Sequence, residues 1–165
     1  MVLSILLSVL GAAAAPAAGA DPSMPHLRRQ GTAIQLVVDG KPFLIRGGEL
    51  GNSSASNPAS LGPFWTKFAE LNMNTVLAPV YWDLLEPEEG RFDFSTLDRL
   101  IEGARASGMR LVLLWFGSWK NSMSCYAPAW VTRDPQRFPR ATDLDGTRQE
   151  ILSPFSAVNR ESIDC

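Results

Sequence analysis

The sequence predicts an α/β protein whose buried strands form the opening part of a (β/α)8 TIM barrel, incomplete, with three βα units. Three observations carry this. Apolar runs ending at Gly48, Val80 and Phe116 recur about 35 residues apart, with helical patterns between them. That spacing requires crossover connections and hence a parallel sheet. Each run is followed by a long aromatic and polar stretch, and in a barrel such loops build the functional face. A doubly wound sheet, as in a ligand-binding domain, also begins with parallel strands. Neither G-x-G-x-x-G nor G-x-x-x-x-G-K-[ST] follows any strand, so its nucleotide-binding version loses support.

The elements follow in order. The first twenty residues, "MVLSILLSVLGAAAAPAAGA", hold no charge and end in an A-x-A pattern, Ala18-Gly19-Ala20. They read as a secretory signal peptide, too short in its apolar run for a stable membrane span, and the protein is expected to be exported. A retained N-terminal anchor is the other reading. Residues 21–32, with Pro22, Pro25 and Gly31, read as a linker, and residues 33–165 as one domain. "AIQLVVDGKPFLIRGG" predicts a hairpin about Asp39-Gly40. A helix follows in which Pro63 suits the first turn and Phe64, Trp65, Phe68 and Leu71 form a stripe. "NTVLAPV" is a strand buried on both faces. Ser95 is expected to cap a second helix with the inner stripe Leu97, Leu100, Ile101 and Ala104, ended by Gly108. "MRLVLLWF" is a third buried strand, Gly117 to about Ser153 a long loop, and Pro154 the start of a last helix.

Composition excludes several functions. With 165 residues, 45% apolar and 19% charged, the chain has the make-up of one ordinary globular domain. A net charge of −2 with no basic block offers nothing to nucleic acid. His26 is the only histidine and the two cysteines, Cys125 and Cys165, are far apart, so a zinc site lacks ligands. The cysteines can pair only in an oxidising compartment, and two make no framework.

The loops after the three strands carry Glu49 and Asn52; Tyr81, Trp82 and Asp83; and Trp115, Trp119, Lys120 and Asn121. Aromatic faces suit the C–H faces of a sugar, and carboxylate, amide and ammonium groups suit its hydroxyls. Each has a plainer reading. Trp65 and Phe68 belong to a core stripe, and Trp130 packs a loop. Tyr81 and Trp82 can contact ligand or protein, and Glu49 can serve a ligand or a salt bridge. Asp83, Glu86, Glu88 and Glu89 crowd one short stretch, as if they were a glycosidase's carboxylate pair. Retention needs two carboxyls about 5 to 5.5 Å apart across the scissile bond. The turn about Pro87 and Gly90 is instead expected to splay Glu86, Glu88 and Glu89 into solvent. No G-x-S-x-G or H-E-x-x-H occurs, so serine and metal hydrolase schemes lack parts.

"GGELGNSSAS", "NTVLAPVYWDLLEPEEGRFDF", "LVLLWFGSWKNSMSCYAPAWV" and "ILSPFS" resemble the N-terminal part of bacterial β-galactosidase-like enzymes, glycoside hydrolase family 35 and the related family 42 type of barrel. The resemblance runs from about Leu36 to Glu161. It implies a complete protein with a (β/α)8 barrel, hydrolysis of terminal β-galactosides with retention, a galactoside or oligosaccharide partner, and no metal or organic cofactor. In such barrels the acid/base Glu follows an Asn at the end of the fourth strand, and the nucleophile ends the seventh. No Asn-Glu dipeptide occurs before Cys165. The chain is therefore expected to be a fragment, truncated before strand 4, that lacks both catalytic Glu residues and is inactive alone. The resemblance carries over only substrate-binding positions: Glu49, Tyr81, Trp82, Trp119 and Asn121. A non-catalytic sugar-binding or interaction module is the alternative from another class.

Overall fold

The computed structural model describes residues 24–121 and 125–163. The expected signal peptide lies outside the described residues, as does Cys165. The chain divides into two compact units at Leu44–Ile45, later than the boundary expected at residue 32.

The first unit is a three-stranded antiparallel ribbon in the order β1 (His26–Gln30), β2 (Ala33–Val38), β3 (Lys41–Pro42). The expected turn is present: Asp39 and Gly40 both have positive φ, 50° and 74°, as a type I′ hairpin requires. The linker expected over 21–32 is corrected at its end, because His26–Gln30 is a strand and His26 lies within it. "HLRRQ" has little β-branched content, so pattern alone does not mark it. It becomes a strand because Gln30 pairs with Ala33 across a two-residue turn whose first residue, Gly31, takes φ 61°.

The second unit holds a parallel sheet in the order β4 (Gly47–Glu49), β5 (Thr75–Tyr81), β6 (Arg110–Phe116). Helix α1 (Gly62–Glu70) joins the first pair and α3 (Ser95–Ala106) the second. The strand–helix alternation is thus as expected. β5 is central and buried along nearly its whole length, with Val76 and Ala78 fully enclosed. β6 is not the buried strand expected. It lies at the sheet edge, and Val112, Leu113 and Trp115 are each more than two-fifths exposed.

The α1 stripe is only partly a core stripe. Trp65 is buried and Phe68 half-buried, but Phe64 and Leu71 are exposed. In α3 the stripe holds, with Leu100 and Ala104 each 2% exposed, and Gly108 follows the helix at φ 66°. The cap differs. Ser95 is the first helical residue and its backbone N–H donates to Asp93 Oδ1 at 2.8 Å. Bonds from Ser95 hold the Asp93 carboxyl below its ordinary pKa. Asp93 thus takes the first helical amide, and the Ser95 hydroxyl does not cap the helix as expected.

The stretch from Gly117 to Ser153 is not one loop. It contains a short helix α4 (Ala129–Thr132) and a hairpin of β7 (Arg140–Thr142) with β8 (Arg148–Leu152). These close a second core around Trp82, Val131, Phe138 and Leu152. The last helix, α5 (Ala157–Ile163), begins slightly after Pro154.

Gly47 sets how closely β4 approaches β5. A Cβ there would lie 2.6 Å from the backbone oxygen of Thr75, its ladder partner, and backbone cannot swing away. Gly47→Ala is expected to cost about 2 kcal/mol, the range of core overpacking. Urea unfolding monitored by tryptophan fluorescence measures it, and a cost below about 0.5 kcal/mol would show that β4 is free to shift.

Candidate functional site

The three strands run parallel, so the segments after Glu49, Tyr81 and Phe116 emerge on one edge of the sheet. Two polar links then tie the first segment to the third. Lys120 Nζ lies 3.1 Å from Glu49 Oε1, with side chains 29% and 46% exposed. Asn52 Nδ2 donates to Asn121 Oδ1 at 2.9 Å. Lys120 Nζ also stands over the Phe116 ring, 4.8 Å from its centroid. Trp119 is 51% exposed beside them in the chain. Of the expected site residues, Glu49, Trp119 and Asn121 therefore gather on the loops of one edge and keep exposed surface.

Tyr81 and Trp82 do not share that exposure. Tyr81 is 3% exposed. Its ring meets Phe116 edge-on at 6.0 Å and Tyr126 at 5.1 Å, and its hydroxyl accepts from the Ala55 N–H at 3.2 Å. It forms a floor under the first loop. Burial pushes its phenol up to about 12, against the downward pull of the Ala55 amide. The unfolded phenol titrates near 10, so the unfolded state loses its proton first as pH rises. Stability is expected to be fully present below about pH 10 and to fall between about pH 10 and 12. Unfolding midpoints across that range test this, and Tyr81→Phe should remove its share of the slope.

Trp82 opens the short helix α2 (Trp82–Leu85) and is 1% exposed. Its ring stands edge-on to Trp130 at 5.7 Å, and Trp130 in turn to Phe138 at 5.5 Å. The expectation of direct ligand contact thus meets two rings that face protein.

The acidic stretch separates by partner. Glu88 pairs with Arg91, and Glu89 makes two bonds to Arg137, at 2.6 and 2.9 Å, which lower its pKa. These two are exposed, as expected of a solvated turn. Glu86 departs from expectation: it is only 4% exposed. Its Oε2 accepts from Trp82 Nε1 at 2.8 Å and its Oε1 from the Gly90 N–H at 2.7 Å. Its backbone carbonyl accepts from Trp130 Nε1 at 3.1 Å. A buried carboxylate with each oxygen engaged by a backbone or indole donor organises a turn. Partial burial raises the pKa of Asp83, while the amides of Leu84 and Asp83 itself pull it back. Among the described residues no group of three His, Cys, Asp or Glu could hold a metal ion.

Pattern reading missed three partnerships: Glu49 with Lys120, Asn52 with Asn121, and Glu86 with Trp82 and Gly90. The first two join residues 71 and 69 positions apart, which no local period reports. The third had a local signal, a carboxylate four residues after a tryptophan inside a helical turn.

The glycoside hydrolase 42 family, described as beta-galactosidase, matches residues 64–153. A beta-galactosidase from Xanthomonas manihotis is 36% identical over 110 residues, which are 62% of this chain and 17% of that protein. The solved structure of Gan42B, a GH42 beta-galactosidase, superposes with a TM-score of 0.55 at 25% identity, covering 73% of this chain and 18% of the other. An exo-beta-1,4-mannosidase from Opitutaceae bacterium strain TAV5 superposes at 0.47 and 24% identity, over 54% of this chain and 17% of its own. The chain thus spans less than a fifth of the length of each of these three relatives.

Proposed function

From a chain that belongs to the glycoside hydrolase 42 family of beta-galactosidases, we propose that this protein cleaves terminal β-galactosides with retention. The described residues then supply the first three βα units of a (β/α)8 barrel and part of its sugar-binding face. One observation carries this: Glu49–Lys120 and Asn52–Asn121 draw the first and third strand-end loops together at the edge where barrels bind substrate. Glu49, Trp119, Lys120 and Asn121 provide polar and aromatic surface there, and Tyr81 and Trp82 act beneath it as supports.

The acid/base and nucleophile carboxylates are supplied outside the described residues, and Glu86, Glu88 and Glu89 are instead engaged by Trp82 and Gly90, by Arg91 and by Arg137. Residues 1–20 direct export, with Asp21 the first residue of the mature protein.

The test is hydrolysis by the full-length gene product of nitrophenyl β-galactoside, β-glucoside and β-mannoside. A kcat/KM at least tenfold higher for the galactoside, with the β-anomer of galactose released first, is expected. Preference for another glycoside, or release of the α-anomer, sinks the substrate or the stereochemical part. Sugar binding by a homogeneous product with no turnover on any glycoside would favour a binding module instead. N-terminal sequencing of secreted protein tests export.

A further inference from the structure

The geometry points to Lys120 and Glu49 as a paired reader of a vicinal diol, Lys120 donating to one ring hydroxyl and Glu49 accepting from its neighbour. This deepens the sugar-binding proposal and rests on it.

The ammonium is held from two sides. Nζ lies 3.1 Å from Glu49 Oε1 and 4.8 Å from the Phe116 ring centroid. Phe116 is itself 3% exposed and packed against Tyr81 and Tyr126, so the ring beneath the cation is a rigid support. An ammonium has three donors, and Glu49 occupies one of them. With the Lys120 side chain 29% exposed, the remaining donors have an approach from solvent. Glu49 is similarly half committed. Oε1 takes the ammonium, while Oε2 has no hydrogen bond among the described residues.

Adjacent hydroxyl oxygens on a pyranose ring are separated by close to a hydrogen-bond length. Oε2 belongs to the same carboxylate as Oε1, which lies 3.1 Å from Nζ, so the open acceptor and the remaining ammonium donors sit side by side. Both hydroxyls can therefore be met at once without parting the ion pair. Opposite polarity adds selectivity, since one hydroxyl must accept and the next must donate. A single hydroxyl, or two set apart on the ring, satisfies only half of the pair. Stability does not explain the arrangement, because a pair this exposed is screened by solvent and contributes little.

Isothermal titration of the full-length gene product with methyl β-galactoside and its monodeoxy analogues tests this. Removal of either of two adjacent hydroxyls is expected to weaken binding about tenfold, the effect of a partly exposed hydrogen bond to a charged group. Lys120→Met should weaken the parent glycoside by a similar factor and abolish the penalty at one of those positions. Glu49→Gln should abolish it at the other, with thermal unfolding confirming that both variants fold. A series with no sensitive adjacent pair overturns the inference on the unaltered protein, so it does not depend on the variants. Variants that weaken every analogue alike also overturn it, since they would report general support. Failure of the parent glycoside to bind at all removes the sugar-binding reading itself.

Discussion

Trp82→Ala is expected to destabilise the second unit by about 4 kcal/mol, in the range found for deleting a large buried aromatic. The ring is among the largest side chains with almost no exposed surface, and it stands at the centre of the second core with Val131, Phe138 and Leu152. Its removal takes away the edge-on contact to Trp130 and opens a cavity between α2 and the β7–β8 hairpin. Urea unfolding provides the number. Trp82→Phe is the informative companion, because it keeps most of the ring volume but removes the indole N–H. If Trp82 were chiefly a ligand contact, Trp82→Phe would change sugar affinity and leave stability nearly untouched. The expected result is the reverse, with a cost of about 1 to 2 kcal/mol in stability.

Glu86→Ala is expected to cost about 3 kcal/mol. The substitution strands two donors, Trp82 Nε1 and the Gly90 N–H, in a site where Glu86 is 4% exposed. Each unsatisfied buried group costs about 1 to 3 kcal/mol, and local relaxation keeps the sum near the lower half. Glu86→Gln retains one acceptor oxygen and should cost about half as much. The double variant Trp82→Phe with Glu86→Ala should fall short of the sum of the two singles by about 1 kcal/mol, since both remove the same bond. A Glu86→Ala cost under about 0.5 kcal/mol, or strict additivity, would show that this carboxylate does not hold the turn. By comparison, Glu88→Ala removes only an exposed pair with Arg91 and should be nearly silent.

That contrast shows where sequence reading succeeds. Glu86 and Glu88 are two residues apart and chemically identical, and the turn about Pro87 and Gly90 was legible. Which of the two is buried was not, because the Trp130 indole that closes over Glu86 arrives from 44 positions downstream. The exposed edge of β6 follows the same logic. Its apolar run marks a strand that can be buried, whereas its position in the sheet decides how much burial it obtains. The α1 stripe shows it again, since Trp65 meets the core and Leu71, six residues on, lies past the helix end in solvent.

The amino-acid sequence by itself determined what depends on near neighbours. The strand–helix alternation, the Asp39-Gly40 turn, the α3 stripe and the loop aromatics are set by side-chain period and backbone preference within a few residues. The quoted motifs also sufficed for the family. Tertiary structure alone decided that Tyr81 and Trp82 are buried and that Glu86 holds a turn. It alone decided that Glu49 and Lys120 meet at 3.1 Å. The Glu49–Lys120 contact depends on parallel pairing that brings residues about 70 positions apart to one end of a sheet, and a separation of that length leaves no periodic trace in the chain.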